Sequence, residues 1–167
     1  KTIKQICDDC NVTKAVVDKL VEKSLLAVTE KQKEIELSDF AADKKEINLS
    51  DQQQKVFDEI VGETDGKPHL IHGVTSSGKT AVFIKLIQHT LKKGKTAMLL
   101  VPEISLTPQM IKILSQHFGD VISVMHSKLT SMQRLYQHQK IVEGKAKVIV
   151  GTRSAVFAPC DNIGLII

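Results

Sequence analysis

Tryptophan is missing from this 167-residue chain, tyrosine occurs once, and aromatic residues make up only 4% of it. Extended aromatic platforms for stacking bases are therefore scarce. Cysteine is nearly as thin, with three residues, which leaves one pair whose spacing could mean zinc or redox chemistry. Cys7 and Cys10 have C-x-x-C spacing, but no second pair exists to complete a four-ligand zinc site, so no zinc is expected. Ile3, Ile6, Cys7 and Cys10 fall on one helical stripe, where cysteine acts as a small buried hydrophobe. No apolar run approaches the roughly 18–20 residues of a membrane span, and the opening Lys1-Thr2-Ile3-Lys4-Gln5-Ile6 has neither a signal-peptide core nor an initiator Met. The chain reads as cytoplasmic, without a membrane partner, and as a piece of something longer.

One-sided charge is lacking as well. Lysine and arginine total 23 against 19 acids, a net +4. Residues 1–30 carry five lysines and five acids, residues 31–50 four against five, and the remainder fourteen basic residues against nine acids. The excess over residues 51–167 permits a phosphate-backbone partner without requiring one.

Two regions differ in pattern. The first predicts a helix over Thr2 to Asp9, a turn at Cys10-Asn11-Val12, and a helix from Thr13 to about Ser24 with Val16, Val17, Leu20 and Val21 on one face. A strand is expected at Leu25 to Thr29. Helix, tight turn, helix, strand is the order of a winged helix-turn-helix without its first helix. Its zero net charge leaves a DNA-binding role and a small packing domain both open. Residues 33–48 are charged and poor in large apolar side chains, which reads as a linker with room for a wing strand. The expected division is 1–32, 33–48 and 49–167.

From residue 50 the pattern becomes α/β. A helix bears Val56, Phe57, Ile60 and Val61 on one face, and a strand is expected at His69-Leu70-Ile71-His72. A helix to about Lys92 follows, then strand 96–101, helix 108–118, strand 121–125, helix 131–142, strand 147–150 and a last strand 163–167. This alternation implies a mostly parallel sheet with helices on both faces.

Between the expected strand at His72 and the next helix lies Gly73-Val74-Thr75-Ser76-Ser77-Gly78-Lys79-Thr80, the G-x4-G-K-[ST] phosphate loop in its proper context. Glycines let successive backbone N–H groups converge on phosphates, and the helix behind directs its positive end there. Lys79 would reach the outer phosphates of ATP and the Thr80 hydroxyl would ligate Mg2+. Hydrolysis also needs an acid to hold the metal and an arginine against developing charge. Neither is evident, so slow turnover is expected. His69 and His72 read as packing residues, and His126-Ser127 has no acid at informative spacing, which speaks against a hydrolase dyad.

Four stretches carry a family resemblance: Gly73 to Thr80; Leu100-Val-Pro-Glu-Ile-Ser-Leu-Thr-Pro-Gln109; His126-Ser127 with Arg134 beyond; and Gly151-Thr-Arg-Ser-Ala-Val-Phe-Ala-Pro159. They resemble the first RecA-like lobe of the bacterial primosomal replication-restart helicases, superfamily 2 enzymes in which a winged helix precedes that lobe. One departure is Ser76, where the family more usually has glycine. The resemblance implies an ATP- and Mg2+-dependent DNA helicase moving 3′ to 5′, acting on single-stranded and forked DNA at stalled forks with other replication-restart proteins. It also implies an Asp-Glu-Glu-His box after the strand Gly164 to Ile167, and a second lobe supplying the arginine.

By the same resemblance, Gln53 looks like a glutamine that reads adenine. Ser50-x-x-Gln53 is equally a capping box at a helix start. Thr107-Pro108 is a good N-cap with proline at the first helical position, whether or not Pro102, Glu103, Thr107 and Gln109 lie along a DNA path. Thr152, Arg153 and Ser154 follow a buried strand and offer hydroxyls, amides and a guanidinium for phosphates of a single strand. With only Phe157 nearby, backbone tracking is expected more than base stacking. Two other readings stay open: a P-loop kinase or transport ATPase, indifferent to DNA, and a winged-helix regulator that senses nucleotide.

Overall fold

A computed structural model describes residues 3–28, 47–63, 66–74 and 77–167. The chain divides into two units, Lys1–Lys33 and Glu34–Ile167.

In the first unit, helix α1 (Ile3–Cys10) and helix α2 (Lys14–Glu22) are joined by a tight turn. Asn11 adopts a left-handed φ of 50° at the turn, which asparagine tolerates, and the Val12 N–H donates back to the Cys7 carbonyl at 3.0 Å. Two sequence expectations are corrected here. Cys10 is exposed at the end of α1 rather than buried with Cys7, which is half-buried. Leu25–Val28 is not a strand: Ser24 takes a φ of 57°, and the N–H groups of Leu25 and Leu26 both donate to the Leu20 carbonyl at 3.0 and 3.2 Å. Those donors close the end of α2, so no ladder can use them. Thr29 and all of the expected linker except Ile47 and Asn48 lie outside the described residues.

The second unit carries helix α3 (Asp51–Gly62), helix α4 (Lys79–Lys92), strand β1 (Thr96–Leu100), helix α5 (Pro108–Phe118), strand β2 (Ile122–Met125), helix α6 (Ser131–Val142), strand β3 (Val148–Gly151) and strand β4 (Ile163–Ile166). The strands form one sheet in the order β2-β3-β1-β4, with every pairing parallel. Side chains alternate across it. Ala97, Leu99, Val148, Val150, Ile122 and Val124 face α4 and α5; Met98 and Ile149 face α6 through Ile141. Burial on both faces explains why β1, β2 and β3 read as continuous apolar runs.

Helix starts follow local chemistry. Thr107 accepts from the Met110 N–H at 3.2 Å, with proline at the first position of α5, and Thr130 forms a capping box with Gln133 at the start of α6. A buried polar clamp then fixes α6 on the sheet. Gln137, 1% exposed, accepts at Oε1 from the Ser123 hydroxyl at 2.9 Å and the Val124 N–H at 3.2 Å. Satisfied polar groups of this kind specify one docking register.

His69–His72 does not form the expected strand. Leu70 is 91% exposed, Pro68 withholds a donor at the head of the segment, and His69 Nε2 lies 3.4 Å from Glu63 Oε2 just past α3. Among the described residues, no helix is long and apolar enough to cross a membrane.

Candidate functional site

The phosphate-loop sequence leads into α4 as the motif requires. Gly78, immediately before the helix, has φ 79°, a left-handed conformation natural to glycine. The Ser77 N–H donates to the Val74 carbonyl at 3.2 Å. Lys79 folds its ammonium back into the loop, donating to the carbonyls of Gly73 and Val74 at 2.6 and 2.8 Å and lying 3.5 Å from Ser77 Oγ. Thr80 is exposed on the first turn of α4. A cation held at the loop, followed by the N-terminus of a 14-residue helix, suits a polyphosphate, with Thr80 one residue on able to offer an oxygen to magnesium. Thr75 and Ser76 lie outside the described residues.

Gln53 joins this loop to α3. Its Oε1 accepts from the Ser50 N–H at 3.0 Å and its own N–H donates to Ser50 Oγ at 3.4 Å, completing the capping box. The amide Nε2 donates to the Ser77 carbonyl at 3.1 Å. One end of this side chain caps the helix and the other tethers the loop, so capping does not exclude a place at the nucleotide loop. A Cβ on Gly78 would displace the flexible end of Gln53, and the left-handed φ is what reserves the position for glycine.

A second site lies at the carboxyl ends of the strands. Leu100 and Met125 are both level with Gly151 in the ladder, so three loops leave the sheet side by side. The segments after β1 and β3 line a cleft of ≈ 610 Å³ whose polar residues are Glu103, Thr152, Arg153 and Ser154, with Pro102 beside them. Gly151 makes this approach possible, because a Cβ there would sit 2.5 Å from the Met125 carbonyl and 2.5 Å from Ala155 Cβ. Five of the seven residues expected along a nucleic-acid path thus share one cleft. Thr107 and Gln109 are exposed at the start of α5 and are not among its lining.

The loop after β2 supplies a contact that spacing did not reveal. Ser127 Oγ donates to Glu103 Oε1, linking positions 24 residues apart. The signal was topological: β1 and β2 both flank β3, so residues just beyond their ends converge. His126 Nδ1 accepts from the Lys128 N–H at 3.2 Å. Burial pushes the His126 pKa below its ordinary value, Lys128 pushes it further down, and Glu103 opposes them. With the serine committed to Glu103 and this ring nitrogen to the backbone, the two do not form a nucleophile–base pair. Burial likewise pushes the Cys160 thiol up, away from a reactive thiolate. Among the described residues, no group of three or more His, Cys, Asp or Glu is placed to hold a metal ion.

The pattern of the family described as "DEAD/DEAH box helicase" matches residues 50–167. The chain is 38% identical to the replication restart protein PriA of Bacillus subtilis over 171 residues, covering 98% of this chain and 21% of that protein. It is 41% identical over 119 residues to PriA of Treponema pallidum, covering 71% and 18%, and 40% identical over 121 residues to PriA of Haemophilus influenzae, covering 72% and 17%. The chain spans about a fifth of the length of these curated relatives.

Proposed function

The chain belongs to the DEAD/DEAH box helicase family, and on that premise we propose that it is the first RecA-like lobe of an ATP-dependent DNA helicase acting in replication restart. The observation that carries this reading is the pair of sites in the one unit Glu34–Ile167. A phosphate loop precedes α4, and a cleft bearing Arg153, Thr152 and Ser154 opens at the strand ends. Similarity to the replication restart proteins over nearly the whole chain supports the biological setting.

ATP with Mg2+ supplies an activated γ-phosphoryl group whose hydrolysis can drive movement along DNA. The residues of this chain do the holding. Lys79 would exchange the Gly73 and Val74 carbonyls for phosphate oxygens, amides of the loop and of the start of α4 would donate to the same oxygens, and the Thr80 hydroxyl would ligate the metal. Gln53 shapes the loop through the Ser77 carbonyl and stands near the nucleotide's base. Alone, this lobe turns ATP over slowly, since neither an acidic metal ligand nor an arginine appears among the described contacts of the loop.

The DNA partner is a single strand, as exposed at a fork. Arg153 and the Thr152 and Ser154 hydroxyls take its phosphates, with Pro102, Glu103, Thr107 and Gln109 along the path and Ser127 holding Glu103 in place. Residues 1–32 act as a winged-helix unit, 33–48 as a linker and 49–167 as the lobe. Movement runs 3′ to 5′, in the cytoplasm, with other replication-restart proteins as partners. The test is ATP hydrolysis by the full-length protein with and without forked DNA. Stimulation with strand separation is expected; indifference to DNA would instead favour a kinase-like or transport P-loop enzyme.

A further inference from the structure

We infer that Phe157 is a base-stacking residue at the mouth of the strand-end cleft. The inference rests on the single-strand reading of that cleft and adds what the cleft does with the bases. Arg153–Phe157 forms a 3-10 turn, in which side chains three residues apart eclipse each other. Phe157 therefore shares a face with Ser154, which lines the cleft. It is 86% exposed, whereas Phe118 is buried and Phe57 and Phe83 are half-buried.

The opposite lip behaves the same way. Ile104, one residue past the cleft-lining Glu103, is 91% exposed, and Val156 beside Phe157 is also exposed. Large apolar side chains left in water on both turns that frame the cleft mark a contact surface. The cleft sets Glu103, Thr152, Arg153 and Ser154 beside the apolar Leu100, Val101 and Pro102, and a nucleotide mixes polar and apolar groups in the same manner. Guanidinium and hydroxyls match phosphate and sugar, and a ring with an aliphatic neighbour matches the face of an unstacked base. A ring with no hydrogen-bonding group stacks on any base, so the contact is indifferent to sequence.

Fluorescence polarisation of the 167-residue chain on two labelled oligomers of equal length tests this, one of thymidines and one of abasic sugar-phosphates. Phe157→Ala should lose about tenfold in affinity for the thymidine oligomer and less than about twofold for the abasic one, with Phe157→Tyr restoring the difference. Arg153→Ala should weaken both oligomers alike. Equal effects of Phe157→Ala on the two oligomers, or none on either while wild type binds both, would overturn the stacking role; an unaffected ring would then be left to a protein partner. Wild type binding neither oligomer would overturn the single-strand reading and the stacking with it. An unchanged melting temperature and ATP affinity for Phe157→Ala separates contact loss from misfolding.

Discussion

Gln53 does two jobs with one amide, and its atoms allow them to be separated. Glutamate at this position still accepts from the Ser50 N–H, as capping boxes permit, but cannot donate to the Ser77 carbonyl. Gln53→Glu is expected to keep the wild-type melting temperature and bind ATP more weakly. Gln53→Ala should lose both, with about 0.5–1 kcal/mol of stability removed with the one bond to the Ser50 N–H, while Ser50 still caps the helix. Equal ATP affinity for wild type and Gln53→Glu would remove the loop tether from the account. The capping half was legible in Ser50-x-x-Gln53, because it depends on spacing alone. The contact to Ser77 joins residues 24 apart and needed the fold. Glu103 and Ser127 repeat the lesson, since their link exists only because two loops leave the same edge of the sheet.

At the level of elements, the parallel strands and the helices α3 to α6 were readable because their apolar patterns are long and their caps explicit. Pro108, Thr107 and Thr130 mark the helix starts directly. Two short expected strands did not form: His69–His72, where Pro68 withholds a donor and Leu70 is exposed, and Leu25–Val28, a run too brief to fix its own state against a neighbour that takes its backbone donors. At Leu25 and Leu26 the end of α2 takes them. The cleft depends on how closely β2 and the turn after β3 approach at Gly151. Gly151→Ala should cost about 1–3 kcal/mol through overpacking and should weaken single-strand binding while sparing ATP affinity. Chemical denaturation and an oligomer titration read the two effects, and a variant with wild-type values in both would show that the approach is not needed.

Across the whole molecule, three imidazoles titrate below their ordinary range: His89, His117 and His126, each chiefly through burial, with Lys93 and Lys92 adding to the effect at His89. His89 packs edge-on against Phe57 at 5.9 Å, and its Nε2 is buried with no hydrogen-bond partner among the described residues. The unfolded chain binds protons on these rings near the ordinary value of 6.5, whereas the folded chain resists until lower pH. Their contribution is therefore intact above about 6.5 and shrinks as pH falls below it. The urea midpoint should be lower at pH 5.5 than at pH 8; the reverse order would contradict the burial of these rings.

The two-site lobe stands on its phosphate loop, and calorimetric titration of ATP with Mg2+ into the wild-type chain and Lys79→Ala examines it directly. Wild type should bind one nucleotide saturably. Lys79→Ala, stripped of its charge-assisted bonds to phosphate, should bind at least about a hundredfold more weakly with an unaltered fold by circular dichroism. Matching affinities in the two proteins, or no binding by wild type, would contradict the assignment of Gly73 to Thr80 as a nucleotide cradle.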